Sequence, residues 1–241
     1  MNQWDKLSQY FDTHKDATEI NPGAADNILI AWPSVLRGVE MVQKSGSSLS
    51  ALDYGCGGGS FAAELHKRGY AVTACDSSPE MIAVAKKNLG DEIPFYECDS
   101  QNVPQLKEAP FDLITGIMVF QFVEEIESCF RNLDAALKSG GVISFAVFNP
   151  DYVQPNHGDG KLFQYFKTPE QPTKGFMVPM EDAKIPVFMR IEEEYDNAIL
   201  PLGYQRIYSE KPPFIPAFLE KYPSDADTTR PEYLVMTYKK S

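Results

Sequence analysis

The chain has 241 residues, a net charge of −12 and a hydrophobic fraction of 43%. That is enough apolar material for one large α/β domain, or for one domain with a small appendage. The negative field repels phosphate backbones and no Lys/Arg cluster offsets it, which disfavours duplex nucleic acid, and the apolar runs are too short to span a membrane.

The first residues, Met1-Asn2-Gln3-Trp4-Asp5, have no basic segment leading into an apolar one, so no secretory signal is expected. Trp4, Leu7, Tyr10 and Phe11 share one face at helical spacing. Leu29, Trp32, Leu36 and Val39 do so again, with Pro33 marking a kink or a fresh start. Asn21-Pro22-Gly23 separates the two parts, and Lys44-Ser45-Gly46-Ser47-Ser48 reads as a linker into the core.

From residue 49 strands and helices alternate. Strand one is expected at 49–53 and its helix at about 60–68. Between them lies Asp53-Tyr54-Gly55-Cys56-Gly57-Gly58-Gly59, an acid followed by a glycine-rich turn. Glycine lets the backbone turn sharply and lets a ligand lie against it, and the free N–H groups that open the next helix face that ligand. Strand two is Ala71 to Cys75; Ser78 suits a helix cap and Pro79 its first turn. Ile82, Ala85 and Leu89 stripe that helix, and Gly90 ends it. Strand three is expected at Ile93 to Glu97 and strand four at Phe111 to Thr115. A helix carrying Ile126, Phe130, Leu133 and Leu137 follows; Gly140-Gly141 ends it, and strand five is Val142 to Phe148. Residues 149–180 break the rhythm with Pro and Gly, and with the aromatics Phe148, Tyr152, Phe163, Tyr165, Phe166 and Phe176 and the apolar Met177 in or beside them. A helix at about 191–200 and strands near 205–209 and 232–238 complete the chain.

This order predicts a doubly wound, mostly parallel sheet with helices on both faces. Residues 1–48 are expected to form an N-terminal helical cap on a domain spanning 49–241, with an insertion at about 149–180 on the substrate side. Ligands of such sheets bind beyond the carboxyl ends of the strands. Asp53, Asp76 and Asp99 fall at the ends of three consecutive strands and so line one edge. A carboxylate after strand two can accept from both hydroxyls of a ribose, and one after strand three from an adenine amine.

Asp53-x-Gly55-x-Gly57-x-Gly59, Asp76 after strand two and Cys98-Asp99-Ser100 after strand three resemble the signature set of class I S-adenosylmethionine-dependent methyltransferases. Phe111-Asp112-Leu113-Ile114 and Lys138-Ser139-Gly140-Gly141 are similar to two further landmarks of that family. The resemblance covers roughly residues 49–150 and is nearest to the small-molecule branch that includes ubiquinone- and menaquinone-type enzymes. It implies a seven-stranded Rossmann-like sheet and the cofactor S-adenosyl-L-methionine. Gly55, Cys56 and Gly57 would hold the methionine and ribose portion; Asp76, with Ser77 beside it, the ribose hydroxyls; and Met81 would flank the adenine. Asp99 would meet the adenine amine with the Ser100 backbone beside it, and Gly116 and Ile117, just past strand four, would pass near the methionine moiety, as would Asp53. Many relatives carry a histidine where Gln121 stands, so no base is expected there and no catalytic residue is assigned.

The implied reaction is in-line methyl transfer to a small-molecule acceptor in the cytoplasm, with no metal, nucleic acid or membrane span. Two alternatives stand beside it. Gly57-x-Gly59-x-x-Ala62 also fits the loose dinucleotide fingerprint of an NAD-dependent oxidoreductase, but Asp53 would set a negative charge beside the pyrophosphate. A non-catalytic interaction module on a cofactor-type fold is the other, and the intact Gly55, Gly57, Asp76 and Asp99 argue against it. Asn149-Pro150-Asp151-Tyr152 is similar to the Asn-Pro-Pro-Tyr motif of amino-group nucleic-acid methyltransferases, but it departs at Asp151 and follows strand five rather than four, so it is read as accidental. Cys56, Cys75, Cys98 and Cys129 form no C-x-x-C pair and read as small buried hydrophobes rather than zinc ligands. His14, His66 and His157 are the only histidines and read as surface residues.

Overall fold

Alternation along the strands decides how this chain is layered. A computed structural model describes residues 3–8, 22–42, 49–156, 163–165, 174–180 and 183–241. After a 3-10 turn at Gln3–Leu7, helix α1 (Pro22–Asp26), a π-helical turn (Asn27–Ala31) and α2 (Trp32–Glu40) lead to β1 (Ser50–Tyr54). Then come α3 (Ser60–Lys67), β2 (Ala71–Asp76), α4 (Pro79–Leu89), β3 (Phe95–Glu97), β4 (Phe111–Ile117), α5 (Ile126–Ala135) and β5 (Leu137–Phe148). The strands run in the order β3-β2-β1-β4-β5, all parallel, and the sheet is extended past β5 by two strands from the end of the chain. These are β10 (Tyr233–Lys240), antiparallel to β5, and β9 (Tyr204–Glu210), antiparallel to β10. The result is the expected seven-stranded, mostly parallel, doubly wound sheet.

Side chains alternate between the two faces. Ala51, Val72, Ala74, Leu113 and Val235 pack with Val35, Leu36 and Val39 of α2, Phe61 and Leu65 of α3, and Ile82 and Ala85 of α4. Their neighbours Leu52, Cys75, Ile114, Leu234 and Met236 face the other way, onto Phe130 and Leu133 of α5 and onto Tyr195 and Ile199 of α7 (Glu192–Ile199). Helix α2 thus lies directly on the sheet, in contact with β5, β9 and β10.

Three expectations need correction. Leu29 is 42% exposed, because the π-helical turn adds a residue and moves the apolar stripe to Ile30, Ala31 and Val35. Helix α5 stops at Ala135, and Leu137 opens β5 instead of closing the helix stripe. The Phe111 N–H already donates to the Ala136 carbonyl at 2.8 Å, so pairing with β4 starts ahead of Gly140-Gly141, which fall inside the strand. Strand β4 runs on to Ile117, so Gly116 and Ile117 belong to it rather than following it.

After β5 the chain forms α6 (Pro150–Asn156) and a separate antiparallel sheet of β6 (Phe163–Tyr165), β7 (Lys174–Met180) and β8 (Ala183–Phe188). A third apolar cluster joins this sheet to the body: Met177, Ile185 and Val187 pack with Leu7, Met81, Tyr152 and Val153. It brings the small sheet, α6 and the Gln3–Leu7 turn together against α4 and the 120–122 turn. Helix α8 (Pro216–Lys221) adds Phe218 beside α2 and α3. Among the described residues no helix is long and apolar enough to cross a membrane. Tyr10, Phe11, His14, Phe166 and His157 lie outside the described residues. His66 is exposed in the last turn of α3.

Candidate active site

The turn between β1 and α3 is folded back onto β2. The Gly55 and Cys56 N–H groups both donate to the Cys75 carbonyl, at 2.8 and 2.9 Å, and Gly59 N–H closes the loop on the Cys56 carbonyl at 2.9 Å. Gly55 and Gly57 hold φ of 71° and 52°, which an L side chain adopts only with strain. A Cβ on Gly55 would meet Val119 at 2.6 Å, whereas one on Gly57 would meet nothing within 4 Å and would enter the cavity beside it.

Asp76, the last residue of β2, ties this turn to the next helix. One carboxylate oxygen accepts from Gly57 N–H and the other from Ser78 N–H, both at 2.9 Å. Burial raises the Asp76 carboxyl above the ordinary carboxylate range in spite of these bonds. Ser78, fully buried, caps α4 by accepting from Met81 N–H at 3.2 Å and donates to an Asp5 carboxylate oxygen at 2.7 Å. The N-terminal turn is thereby anchored to the helix that carries Met81.

Asp53 sits one residue before the end of β1, between Ala74 and Thr115 in the sheet register, and is 1% exposed. Its Oδ1 accepts from the Thr115 hydroxyl at 3.1 Å, and its Oδ2 has no hydrogen-bond partner. Burial, reinforced by the nearby charge of Asp76, pushes its carboxyl up to about 7. Asp99 is exposed just past β3; its Oδ1 accepts from Gln101 N–H and the Asn102 amide, which leaves Oδ2 to other donors.

These groups line one cavity of about 790 Å³, a volume within the range of small-molecule sites. Asp53, Gly55, Cys56, Gly57, Asp76, Ser77, Met81, Asp99 and Ile117 all reach its wall. Two of the expected residues do not. Ser100, expected there through its backbone, is absent from the wall, and its hydroxyl lies toward Tyr54 and Cys129; Gly116 is held in β4 behind Val119 and Phe120, where a Cβ would meet their side chains at 2.9 and 2.7 Å. The cysteines are free; Cys75, Cys98 and Cys129 are buried, while Cys56 and Cys98 also border the cavity.

The other half of the cavity was largely invisible in the sequence. Phe148, Tyr152 and Met177, from the aromatic stretch, reach it, whereas Phe176 lies under the Lys184 ammonium at 4.3 Å. Asp26, Gln121, Phe214, Phe218, Glu232 and Tyr233 join them from four separate stretches of the chain. No spacing rule links such distant positions. Gln121, in the 3-10 turn after β4, is 1% exposed, and neither its amide nitrogen nor its amide oxygen has a partner.

Residues 52–145 match the Methyltransferase domain family. The chain is 33% identical over 125 residues to the tRNA 5-carboxymethoxyuridine methyltransferase of Escherichia coli (strain K12), a match covering 50% of this chain and 47% of that protein. It is 31% identical over 103 residues to a ubiquinone biosynthesis O-methyltransferase of Coxiella burnetii (strain Dugway 5J108-111), covering 42% of this chain and 44% of the relative. The chain thus spans about half the length of the curated relatives it matches. An S-adenosylmethionine-dependent methyltransferase from Mesorhizobium loti superposes with a TM-score of 0.66 at 20% identity, over 91% of this chain and all of that one. The glycine turn beside Asp76 and the first five strands thus lie in or beside a stretch, residues 52–145, that matches the Methyltransferase domain family, and the sheet has the fold of S-adenosylmethionine-dependent methyltransferases.

Proposed function

We propose that the chain transfers a methyl group from S-adenosylmethionine to a small-molecule acceptor. The observation that carries this reading is one cavity with two unlike halves: backbone turn and acids over β1–β3, aromatic walls over β4, β5 and β10. The cofactor, when bound, supplies an electrophilic methyl group on a sulfonium. The protein's part is to hold donor and acceptor in line and to exclude water.

The residues present fit that cofactor. The unpartnered, buried Asp53 Oδ2 is complementary to the ammonium of a methionine moiety. Open space over Gly57 admits a ligand against the backbone. Asp76 keeps a second lone pair on each oxygen for the two ribose hydroxyls. Asp99 offers Oδ2 to the adenine amine, and Met81 and Ile117 supply apolar contact. A buried, orphaned carboxylate oxygen beside the turn is unfavourable to a pyrophosphate, which speaks against NAD.

Three features support a small acceptor over tRNA. The net charge is −12, the cavity walls carry Asp26, Asp53, Asp76, Asp99 and Glu232, and the small sheet and N-terminal turn roof the site. Four free cysteines suit the reducing cytoplasm. Titration calorimetry with S-adenosylhomocysteine and with NAD tests the cofactor: tight binding of NAD and none of S-adenosylhomocysteine overturns it. Radiolabelled methyl transfer to bulk tRNA, with none to a small-metabolite extract, overturns the acceptor class.

A further inference from the structure

Two carboxyl groups face each other in the half of the cavity that the cofactor reading leaves empty. Asp26 ends α1 and is 6% exposed; Glu232, half-buried, immediately precedes β10. Both line the cavity, close enough that the charge of Asp26 acts on Glu232. Tyr233 lines the same wall, and Asn27 N–H donates to Asp26 Oδ1 at 2.5 Å.

The pair is held in place by the end of β5. Asn149, 1% exposed, donates its backbone N–H to the Glu232 carbonyl and its side-chain amide to the Pro231 carbonyl, both at 2.7 Å. Tyr233 pairs with Phe148 in the sheet. Glu232 is therefore fixed at the carboxyl edge of β5, on the far side of β1 from the Asp76 end of β2. The Asn149-Pro150-Asp151-Tyr152 stretch acts here as a clamp on the strand that carries Glu232, a role its sequence did not suggest.

Among the described residues no Lys, Arg or His forms an ion pair with Asp26 or Glu232. Burial pushes Asp26 up to about 6, and burial with the charge of Asp26 raises Glu232 well above the carboxylate range. Among the described residues the groups acting on Glu232 are its own burial and Asp26 alone. The surrounding wall is aromatic: Tyr152 packs on Phe214 with centroids 5.6 Å apart, and Phe214 on Phe218 at 6.0 Å. Gln121 stands on the same cavity with both ends of its amide unsatisfied. A buried amide without partners costs stability unless a ligand pairs with it.

We propose that Asp26 and Glu232 form the acceptor-recognition site, and that the acceptor is an aromatic molecule carrying an amine, with Gln121 as its second polar contact. An amine donates to the pair and supplies the positive charge the pair lacks, while its ring lies on Tyr152 and Phe214. A carboxylate-bearing acceptor meets like charge there and is rejected. This rests on the methyltransferase reading above and adds the chemical class of the substrate.

The test uses the whole chain saturated with S-adenosylhomocysteine and two matched probe pairs: phenethylamine against 3-phenylpropionate, and tryptamine against indole-3-propionate. Binding is followed by calorimetry and by ligand-observed NMR at millimolar probe. The amines should bind at least about tenfold more tightly than the acids of equal ring and chain. Asp26→Asn with Glu232→Gln should abolish that preference and leave S-adenosylhomocysteine affinity unchanged. The single variant Glu232→Gln, at the less buried position, should weaken amine binding if the double variant does not fold. Acids binding as well as amines, no amine binding, or an amine preference that survives in Glu232→Gln each overturns the proposal. Failure of the wild-type chain to bind S-adenosylhomocysteine is a separate result and overturns the cofactor reading instead.

Discussion

The Asp76 carboxylate accepts the Gly57 backbone N–H at 2.9 Å, so the acid that ends β2 also shapes the glycine turn after β1. Its other oxygen holds Ser78 N–H at the start of α4. A ligand group at an open strand end would be removable at little cost to the fold. With two charge-assisted bonds to the backbone, Asp76→Ala should instead lower the free energy of unfolding by about 2–4 kcal/mol and weaken S-adenosylhomocysteine binding as well. Asp76→Asn, which keeps one carbonyl acceptor, should lie between. Urea denaturation with calorimetry on the folded variants decides the matter; a full-stability Asp76→Ala protein contradicts the bridging role.

Asp53 should make cofactor binding pH-dependent. Its carboxyl rises from 3.8 to about 7 in the folded protein, so the folded state holds a proton there that the unfolded state has lost. The contribution of this group to stability is fully present below about pH 4 and is lost as pH rises through 7, by up to about 4 kcal/mol. Asp26, raised to about 6, acts in the same direction. An ammonium beside Asp53 favours the ionised form, so binding should release a proton, and affinity should climb from pH 5.5 to 7.5. Calorimetry in buffers of different ionisation enthalpy reads the proton directly. Asp53→Asn should bind more weakly and show a flat profile over that range; an unchanged slope removes Asp53 from the ammonium site.

Local patterns and the placement of residues far apart in sequence differ in how much they disclose. The alternation of Leu113 and Ile114, or Leu234 and Val235, onto opposite apolar clusters follows from period-two burial and was readable. So were the Ser78 cap and the strand-end acids. The phase slip at Asn27–Ala31 was not, because a π-helical turn leaves the composition of the helix unchanged. Nor was the start of β5 at Leu137: Gly140 has φ of 75° inside the strand, and a glycine pair reads the same whether it ends a helix or bends a strand. The acceptor half escaped for a different reason. Asp26 and Glu232 lie at opposite ends of the chain, and only the antiparallel return of β10 along β5 brings them together.

Gly55 and Gly57 should respond differently to alanine. Both have positive φ, which costs an L side chain about 1–2 kcal/mol. At Gly57 that is the whole penalty to the fold, since the added Cβ meets nothing; the methyl group would instead occupy cavity space and reduce S-adenosylhomocysteine affinity. At Gly55 the Cβ would collide with Val119 at 2.6 Å, so the stability loss should exceed that of Gly57→Ala. Val119→Ala should restore part of the loss in the Gly55→Ala background, a coupling that a double-mutant cycle in urea measures. Equal losses at the two glycines, with no coupling to Val119, would show that the collision is relieved elsewhere.

The N-terminal turn should matter more to turnover than to the integrity of the sheet. Trp4 packs edge-on to Phe122 at 4.7 Å and lines the cavity; Leu7 is fully buried against Met81 and Met177; and Asp5 accepts from the Ser78 hydroxyl at 2.7 Å. None of Trp4, Asp5 and Leu7 belongs to the two apolar clusters that sandwich the main sheet. Deleting residues 1–20 should therefore leave a cooperatively folding core that binds S-adenosylhomocysteine weakly, because Asp53, Asp76 and the glycine turn remain. Methyl transfer should be lost, because one wall of the cavity opens to water and alignment of the acceptor goes with it. Trp4→Ala should show a milder form of the same split, with affinity for S-adenosylhomocysteine falling less than turnover on an identified acceptor. Full turnover in the truncated chain would mean that these aromatics patch the outside of the fold and take no part in closing the site.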